Sequence, residues 1–302
     1  MTRVLLTGIS GQVGQELQRT LTTLGEVIGV SRQDLDLSQP EQIQQRIAEI
    51  KPDIIVNAAA YTAVDQSESE PDLAMTINAT APKAIATAAQ DIGAIVLHIS
   101  TDYVFNGRNH TPYLETDATD PLGTYGKSKL LGEIGVQENC DRHLILRTAW
   151  VYGSRGHGNF VKTMLKLGAS RSELKVVADQ IGGPTWSADI AAAITQLLSK
   201  SLADSSIKGI YHFTNSGVAS WYDLAVATFA EARQLGYPLK VEQVLPISTA
   251  EFPTPTQRPA YSVLSKAKIT AATGVVPPYW RDSLGKMLGE WHALQSQASK
   301  TA

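Results

Sequence analysis

The amino-acid sequence predicts an α/β protein built on a doubly wound parallel sheet, with a smaller portion on its C-terminal side. Three features lead to this prediction. At the start of the chain, an apolar run is followed by three evenly spaced glycines. Strand-like and helix-like segments then alternate over residues 1–150, and the alternation becomes irregular beyond Gly153. Such alternation is typical of parallel sheets that helices cover on both faces. With 302 residues, of which 43% are hydrophobic, the chain is long enough for one large domain or two closely joined ones.

The first turn is the stretch on which the prediction rests most heavily. Residues 4–6 form the continuous apolar run of a buried parallel strand, and a helix-like stretch follows over 15–24. Between them, Gly8 permits a tight turn, Gly11 lets the backbone approach a pyrophosphate, and Gly14 allows the helix to pack closely on the strand. Free N–H groups at the start of a helix attract phosphate. We therefore predict a Rossmann-like dinucleotide site that includes Gly8, Gly11, Gln12, Val13 and Gly14.

The rest of the chain supplies the other strands and helices. In the first half, the predicted strands are 26–30, 53–60 with its loop, 94–99 and 143–147, and the predicted helices are 40–50, 76–90 and one that opens at Tyr125. Farther on, we predict helices at 160–167, 188–198, 221–235 and 281–295 and strand-like segments at 174–177 and 209–213. The sequence thus predicts an NAD(P)-binding domain over residues 1–153. We expect residues 154–302 to form a mainly substrate-binding portion, some segments of which return to the sheet.

The end of the second predicted strand bears on the choice of cofactor. An NAD site usually carries an acidic residue there for the ribose hydroxyls, whereas this chain has Ser31 and Arg32. Arg32 suits the 2′-phosphate of NADPH, and the alternative is a solvated loop arginine. We also expect Asp36 and Leu37 to flank the adenine. Small residues after the third strand leave room for the dinucleotide at Ala58, Ala59 and Ala60.

Composition argues against several other classes of function. The net charge is −3 without a basic tract, so we expect neither nucleic acid nor a membrane as a partner. No apolar run approaches the roughly twenty residues of a membrane span, and the N-terminus lacks the pattern of a signal peptide. The single cysteine, Cys140, suits a reducing cytoplasm. The six histidines are scattered without metal-ligand spacing, and we predict no metal.

A tyrosine and a lysine carry the predicted chemistry. Tyr125 and Lys129 are four residues apart and share one face of a predicted helix, and Thr101 stands at the end of the fourth predicted strand. Ligands of such sheets bind outside the carboxyl ends of the strands. A nearby ammonium is expected to lower the pKa of the tyrosine, which then protonates a carbonyl oxygen while the nicotinamide delivers hydride. An exposed helix pair without function is the alternative.

These residues resemble a known family, the extended short-chain dehydrogenase/reductases, and within it the reductases of dTDP-L-rhamnose synthesis. The resemblance spans most of the chain in order. Its pieces are residues Thr7–Gly14, Asn57–Asp65, Ser100–Phe105, Tyr125–Lys129, Arg147–Gly153, Asp179–Gln180, Gly183–Thr185, Arg258–Pro259 and Tyr261–Ser262.

The resemblance implies that NADPH, with NADH as an alternative, reduces the C4 ketone of dTDP-4-dehydro-L-rhamnose to dTDP-L-rhamnose. Thr101, Tyr125 and Lys129 match the catalytic residues of the family, and the tyrosine and lysine also contact the cofactor. The implied substrate-binding residues are Thr62, Val64, Thr101, Asp102, Tyr103, Tyr125, Trp150 and Arg258. Trp150 is equally compatible with a core position. Arg258, in a proline-rich stretch that resembles a lid, either reaches the diphosphate or braces its loop.

Other interpretations remain open. Related dehydratases carry an acid pair after the strand-end threonine, whereas here Asp102 is followed by Tyr103. A sugar-nucleotide 4-epimerase usually has an acid where this chain has Ser31 and Arg32. A reductase of another sugar nucleotide, or a non-catalytic NADP-binding subunit like the one that regulates animal methionine adenosyltransferase, shares the same motifs. Some members dimerise through a magnesium site whose acidic residues do not map onto this sequence, so a homodimer stays open.

Overall fold

The computed structural model describes residues 1–156 and 158–301, in which strands and helices alternate. The strands in these residues are β1 (Arg3–Thr7), β2 (Glu26–Val30), β3 (Ile54–Asn57), β4 (Ile95–Thr101), β5 (His143–Thr148), β6 (Val151–Tyr152), β7 (Glu173–Val177), β8 (Ile181–Gly182), β9 (Thr185–Trp186), β10 (Gly209–His212), β11 (Ala219–Ser220) and β12 (Gln243–Ile247).

Helices connect most of these strands. They are α1 (Gln12–Thr20), α2 (Ile43–Ile50), α3 (Pro71–Met75), α4 (Ala81–Ile92), α5 (Thr124–Asn139), α6 (Phe160–Gly168), α7 (Ser187–Ala203), α8 (Trp221–Gln234), α9 (Ala267–Thr273) and α10 (Trp280–Thr301). Between α3 and α4 the chain makes a π-helical turn at Thr76–Thr80. Short 3₁₀ turns lie at Leu21–Thr23, Pro40–Gln42, Gln66–Glu68, Asp102–Val104 and Thr249–Glu251.

The main sheet positions the site. Its strands follow the order β10-β5-β4-β3-β1-β2, and every pairing is parallel. The chain order reverses between β1 and β3, which is where ligands of such sheets bind. The register aligns the carboxyl ends of the central strands, since Thr7 pairs with Asn57 and Thr101 with Thr148. The predicted doubly wound parallel sheet is confirmed.

Alternating side chains of the strands form two cores, one on each face of the sheet. Val4 and Leu6 of β1 point to the face covered by α1 and α7, where they pack in one cluster with Leu17 and Ile190. Leu5 points to the opposite face, where α2, α4 and α5 close a second cluster. Each of these five side chains is fully buried. Strands buried on both faces explain why β1 appears in the sequence as a continuous apolar run.

The C-terminal half adds a smaller body beside the carboxyl edge of the sheet. Helices α6, α8 and α10 pack together around a third apolar cluster, and β7 pairs in parallel with β12 in a separate two-stranded sheet. One segment of this half joins the main sheet, because β10 pairs with β5.

Several elements of the structure differ from the sequence prediction. Helix α1 begins at Gln12 and ends in a 3₁₀ turn, whereas the apolar spacing predicted 15–24. The helix predicted over 76–90 starts earlier, at Pro71, and passes through the π-helical turn. Strand β12 was not predicted, and Pro246 in its interior explains why, since proline cannot donate to a strand ladder and is confined to sheet edges.

A glycine of α5 yields a first prediction about packing. A Cβ on Gly132 would lie 2.1 Å from the Asn78 carbonyl oxygen of the π-helical turn. We expect Gly132→Ala to lower the free energy of unfolding by about 1–3 kcal/mol, because the backbone must move to relieve this overlap. Urea unfolding followed by circular dichroism measures the change.

Gly289 in α10 provides the matched control. A Cβ added at Gly289 would have no described atom outside its own helix within 4 Å. Gly289→Ala should therefore raise stability by about 0.5–1 kcal/mol through the lower entropy of the unfolded chain. Equal stabilisation by both substitutions would show that α5 and the π-helical turn are not in tight contact.

Candidate active site

A cavity of about 520 Å³ opens at the carboxyl edge of the main sheet, beside the point where the strand order reverses. Most of the sequence-predicted site residues line it. They are Gly11, Gln12, Val13, Gly14, Ala58, Ala60, Thr62, Val64, Thr101, Asp102, Tyr103, Tyr125, Lys129, Trp150 and Arg258. The cavity thus brings together the glycine turn, the ends of β3 and β4, the start of α5 and the proline-rich loop.

The glycine turn forms one wall. Gly8 has a φ of +71°, and a Cβ there would lie 2.7 Å from the backbone of Ala58 and Ala59. A Cβ on Gly14 would lie 2.0 Å from the Gly8 carbonyl oxygen, so α1 can begin this close to β1 only with glycine at position 14. Gly11 is the residue that precedes α1 and carries no capping side chain. The first N–H groups of α1 therefore face the cavity with room for an anionic ligand.

Tyr125 and Lys129 lie in the first two turns of α5, and both line the cavity. The Lys129 side chain is 1% exposed. Its Nζ donates a hydrogen bond to the carbonyl oxygen of Ile99 at 2.6 Å and lies 3.2 Å from Nε2 of His98. Two residues of β4 therefore hold the ammonium group of Lys129 in place. Tyr125 is partly exposed and lines the cavity.

Burial governs the protonation of this pair. It lowers the pKa of Lys129 to about 8, although the negative charge of Glu133 counteracts the effect. It raises the pKa of Tyr125 above its ordinary value, and a hydrogen bond with Thr101 offsets part of that rise. The four-residue spacing of the pair predicts that the Lys129 ammonium lowers the pKa of Tyr125. In this structure desolvation dominates instead and raises the pKa of Tyr125.

Thr101 and Asp102 end β4 next to Tyr125. The Thr101 hydroxyl donates to Oδ1 of Asp102 at 3.1 Å and accepts from the backbone N–H of Tyr103 at 3.2 Å. Asp102 is 2% exposed, and burial raises its pKa to about 6 despite hydrogen bonds from Ser262 and Thr101. By rotating away from Asp102, the Thr101 hydroxyl can donate to a ligand oxygen in the cavity.

Arg258 links the proline-rich loop to Tyr103, which follows β4, and to Asp65, in the segment after β3. Its Nη1 donates to the hydroxyl of Tyr103 at 2.9 Å, and its Nη2 donates to Oδ2 of Asp65 at 2.7 Å. Asp65 also accepts from the backbone N–H of Thr256. The ring of Tyr103 meets that of Tyr125 edge to face, with centroids 5.5 Å apart. The loop around residue 258 thus closes over the tyrosines through one ion pair and its hydrogen bonds.

Two tryptophans form an aromatic wall. Trp150 stacks on Trp221 with ring centroids 3.5 Å apart and planes inclined by 4°. Trp150 has a φ of +47°, an unusual conformation for a bulky residue. A Cβ on Gly182 would lie 2.5 Å from the Trp150 ring, so glycine leaves the space that the ring fills. Trp150 lines the cavity from this position.

Several lining residues were missed by the sequence analysis. They include Trp221, Asn159, Phe160, Ser100 and Thr148. Asn159 donates to the side-chain oxygen of Gln12 at 2.7 Å and thereby ties the loop before α6 to the glycine turn. Ser100 and Thr148 lie within the segments that carry the family resemblance, whereas no local motif marks Trp221, Asn159 or Phe160 as lining residues. Only the start of α8 was recognisable, from the capping box of Ser220 and Asp223 that immediately flanks Trp221.

Five predicted cofactor residues lie outside the cavity lining: Gly8, Arg32, Asp36, Leu37 and Ala59. Arg32 forms an ion pair with Asp36 across 3.4 Å, and its side chain is 75% exposed. Leu37 packs into the core on one face of the sheet, where it is 6% exposed. The Ala59 N–H donates to the Thr7 hydroxyl. Arg32 and Asp36 follow β2, the strand next to the glycine turn.

A second cavity of about 800 Å³ adjoins the first. Tyr103, Phe160, Trp221 and Arg258 line both, so the two spaces share a wall. The second cavity is also lined by the charged residues Arg171, Glu173, Lys175 and Glu251, together with apolar side chains of α6, β7 and β12. The combined space suits an elongated ligand with an anionic centre.

The described residues contain neither a metal-ligand cluster nor a membrane-spanning helix. No group of three or more His, Cys, Asp or Glu side chains there is arranged to hold a metal ion. His157, one of the six histidines, lies outside the described part of the chain. None of the helices at 1–156 and 158–301 is long and apolar enough to cross a membrane.

Comparison with known proteins identifies the family. The family model described as the RmlD substrate binding domain matches residues 1–293. The chain belongs to the RmlD family. The dTDP-4-dehydrorhamnose reductase of Escherichia coli K12 is 46% identical over 291 residues, which cover 95% of this chain and 97% of that protein. The resemblance to a family of nucleotide-sugar oxidoreductases is thus confirmed.

Solved structures of RmlD relatives agree. A dTDP-4-dehydrorhamnose reductase from Clostridium acetobutylicum superposes with a TM-score of 0.88 at 41% identity and covers 96% of this chain and 99% of its own. The Bacillus anthracis dTDP-4-dehydrorhamnose reductase in complex with NADP has a TM-score of 0.89 at 40% identity, and the match covers 96% of this chain and 100% of that one.

The raised pKa of Asp102 predicts a pH-dependent stability. Since its pKa is 3.8 unfolded and about 6 folded, the native state binds more protons between these values. Its stabilising contribution is therefore complete below pH 3.8 and lost as the pH rises through 6. Asparagine does not titrate, so Asp102→Asn lacks this pH dependence. The free energy of unfolding of Asp102→Asn minus that of the parent should therefore be larger at pH 8 than at pH 4, by up to about 3 kcal/mol.

Denaturant unfolding at both pH values measures this difference, and Asp72→Asn, at an exposed position of α3, is the control. The control should follow the parent at both pH values. The interpretation fails if Asp102→Asn also shows the parental pH dependence.

Proposed function

We propose that this protein is an NADPH-dependent reductase that converts the C4 ketone of dTDP-4-dehydro-L-rhamnose to the hydroxyl of dTDP-L-rhamnose. The observation that carries the proposal is the convergence of Thr101, Tyr125 and Lys129 in one cavity beside the glycine turn. The names of relatives at 40–46% identity supply the substrate.

The glycine turn fits a dinucleotide. Side chains at Gly8 or Gly14 would overlap backbone atoms, and their absence opens the start of α1 towards the cavity. We assign the diphosphate to the backbone of Gly11, Gln12 and Val13, and the path of the cofactor to the small residues at 58–60. The Bacillus anthracis relative is in complex with NADP. Bound NADPH supplies the hydride, and NADH remains the alternative donor.

Tyr125 acts as the proton donor in this proposal. Its phenol gives a proton to the C4 oxygen, and the Thr101 hydroxyl donates a hydrogen bond to the same oxygen. The phenolate that remains is stabilised by the Lys129 ammonium, which also hydrogen-bonds the nicotinamide ribose. Because burial raises the pKa of Tyr125, the tyrosine is fully protonated before the substrate arrives.

The two adjoining cavities support a nucleotide-sugar substrate. We place the sugar at Thr62, Val64, Tyr103 and Trp150, with Asp102 beside its reacting end. Arg258 stands where both cavities meet, so its guanidinium is placed for the diphosphate once the contact with Asp65 is released. The nucleoside then occupies the second cavity, whose apolar walls suit a base.

The setting of the reaction is part of the same proposal. We place the protein in the cytoplasm, where the free thiol of the buried Cys140 stays reduced. A homodimer is consistent with the proposal and stays a prediction. Neither nucleic acid nor a membrane is required for the chemistry.

Removal of the Tyr125 hydroxyl tests the proton donor. Tyr125→Phe should lower kcat by about 10²–10⁴-fold, because the C4 oxygen loses its general acid. NADPH oxidation at the nicotinamide absorbance, with freshly generated dTDP-4-dehydro-L-rhamnose, measures the rate. NADPH binding, followed by fluorescence, should change little.

Tyr237→Phe is the matched control, since its hydroxyl bonds Leu288 on the other side of the smaller body. It should retain parental turnover. An inactive parent that still binds NADPH would exclude this substrate and favour another sugar nucleotide or a regulatory subunit.

The assignment of Arg32 to the 2′-phosphate gives a separate prediction. Arg32→Ala should raise the KM for NADPH about tenfold and leave that for NADH nearly unchanged, because a charge-assisted hydrogen bond to phosphate is lost. Arg46→Ala, which breaks another exposed ion pair at 3.1 Å, is the control. An equal effect of Arg32→Ala on both cofactors would place the phosphate elsewhere.

A further inference from the structure

His98 is a fully buried histidine of β4 to which the proposed reaction assigns no role. One ring nitrogen, Nε2, lies 3.2 Å from Nζ of Lys129, and the other, Nδ1, lies 3.1 Å from Nδ2 of Asn57. Asn57 is the last residue of β3, and its Oδ1 lies 2.7 Å from the Thr7 hydroxyl of β1. A continuous row of polar groups thus runs beneath the cavity from the glycine turn to the proposed catalytic lysine.

The hydrogen-bond inventory of Lys129 shows what His98 contributes. An ammonium group has three N–H donors and no acceptor. One of them is taken by the Ile99 carbonyl oxygen at 2.6 Å, and a second points to His98. Both partners belong to β4, a central strand. The third N–H is the one left for a ligand in the cavity.

We propose that His98 is a positioning residue, which accepts a hydrogen bond from the Lys129 ammonium through an unprotonated Nε2 and so directs the remaining N–H into the cavity. This inference rests on the proposed function, in which Lys129 supports Tyr125 and the ribose. His98 acts through Lys129 and touches neither substrate nor cofactor.

The inference fixes the tautomer of His98. If Nε2 accepts from Lys129, the ring proton sits on Nδ1 and donates to Asn57. The Asn57 amide then presents its oxygen to His98 and its nitrogen to Thr7, which is a half-turn of the amide group. The Thr7 hydroxyl oxygen then accepts from the Asn57 amide as well as from the Ala59 N–H, and its own proton turns away from Asn57.

Electrostatics agree with a neutral ring. Burial and the neighbouring charge of Lys129 lower the pKa of His98 well below its ordinary value, so the imidazole stays an acceptor. The other charged or titratable groups near Lys129 are Glu133 on the same helix, which is paired with Arg147 of β5 at 2.6 Å, and Tyr125 one turn earlier. Glu133 favours the ammonium by charge, whereas His98 does so by a directed hydrogen bond.

Two amide substitutions separate the two ends of the ring. The amide of His98→Gln reaches the position of Nε2 and can accept from Lys129, whereas the shorter His98→Asn reaches only the position of Nδ1 and Asn57. Loss of a hydrogen bond to a charged group is expected to lower the pKa of Lys129 by about 1 in His98→Asn. His98→Gln should keep it near the parental value.

Nuclear magnetic resonance of protein labelled with ¹⁵N at the lysine side chains measures this titration, and Lys129→Met identifies the signal. The alkaline limb of the kcat profile should shift to lower pH by the same amount in His98→Asn alone. His212→Asn is the matched control, because His212 is also fully buried and lies 3.4 Å from a cation, Arg147, but does not contact Lys129. It should leave the pKa of Lys129 unchanged.

An unchanged or raised pKa of Lys129 in His98→Asn would overturn the proposal, since a rise would mean that Nε2–H donates to a neutral amine. If His98→Asn does not fold, the unaltered protein decides the question. Its ¹⁵N-histidine spectrum should show the Nδ1–H tautomer for the signal absent from His98→Gln, and the Nε2–H tautomer would contradict the proposal. These spectra need no substrate. They therefore test the role of His98 even if the proposed reductase activity is not found.

Discussion

The site depends on the close approach of α1 to the turn that precedes it. A side chain at Gly14 would overlap the Gly8 carbonyl oxygen, and one at Gly8 would overlap the backbone after β3. With glycine at both positions, the first turn of α1 lies directly at the carboxyl edge of the sheet. The N–H groups of that turn can then face an anion.

Buried polar groups set the chemistry of the opposite wall. Asp102 directly follows β4, and the ammonium group of Lys129 reaches β4 from α5. Desolvation moves the pKa of each towards neutrality, from above for the lysine and from below for the aspartate. Such groups cost stability in the free protein, so they are held by neighbours that a rigid strand supplies, such as Ile99 and His98. Groups that titrate near neutral pH are those that can exchange protons during turnover.

The aromatic wall of Trp150 and Trp221 contains a strained backbone conformation. Trp150 adopts a left-handed backbone conformation, which is strained for a bulky residue by about 1–3 kcal/mol. Its stack on Trp221 and the open space beside Gly182 offset this strain. Because Trp221 begins α8, the position of the smaller body determines the shape of this wall. The main sheet and α5 therefore carry the proposed reacting groups, and the smaller body contributes part of the surface on which the substrate is proposed to lie.

The sequence by itself determined the order of the strands and helices of the main sheet, the glycine turn, and the tyrosine and lysine that share a face of α5. These features follow from local apolar periodicity and short motifs. Tertiary structure alone decided that Lys129 bonds to β4, that Trp221 meets Trp150, and that β12 pairs with β7 despite Pro246. Each of these contacts joins segments distant in the chain. Their energies depend on desolvation and close packing, which neighbouring residues along the sequence do not encode.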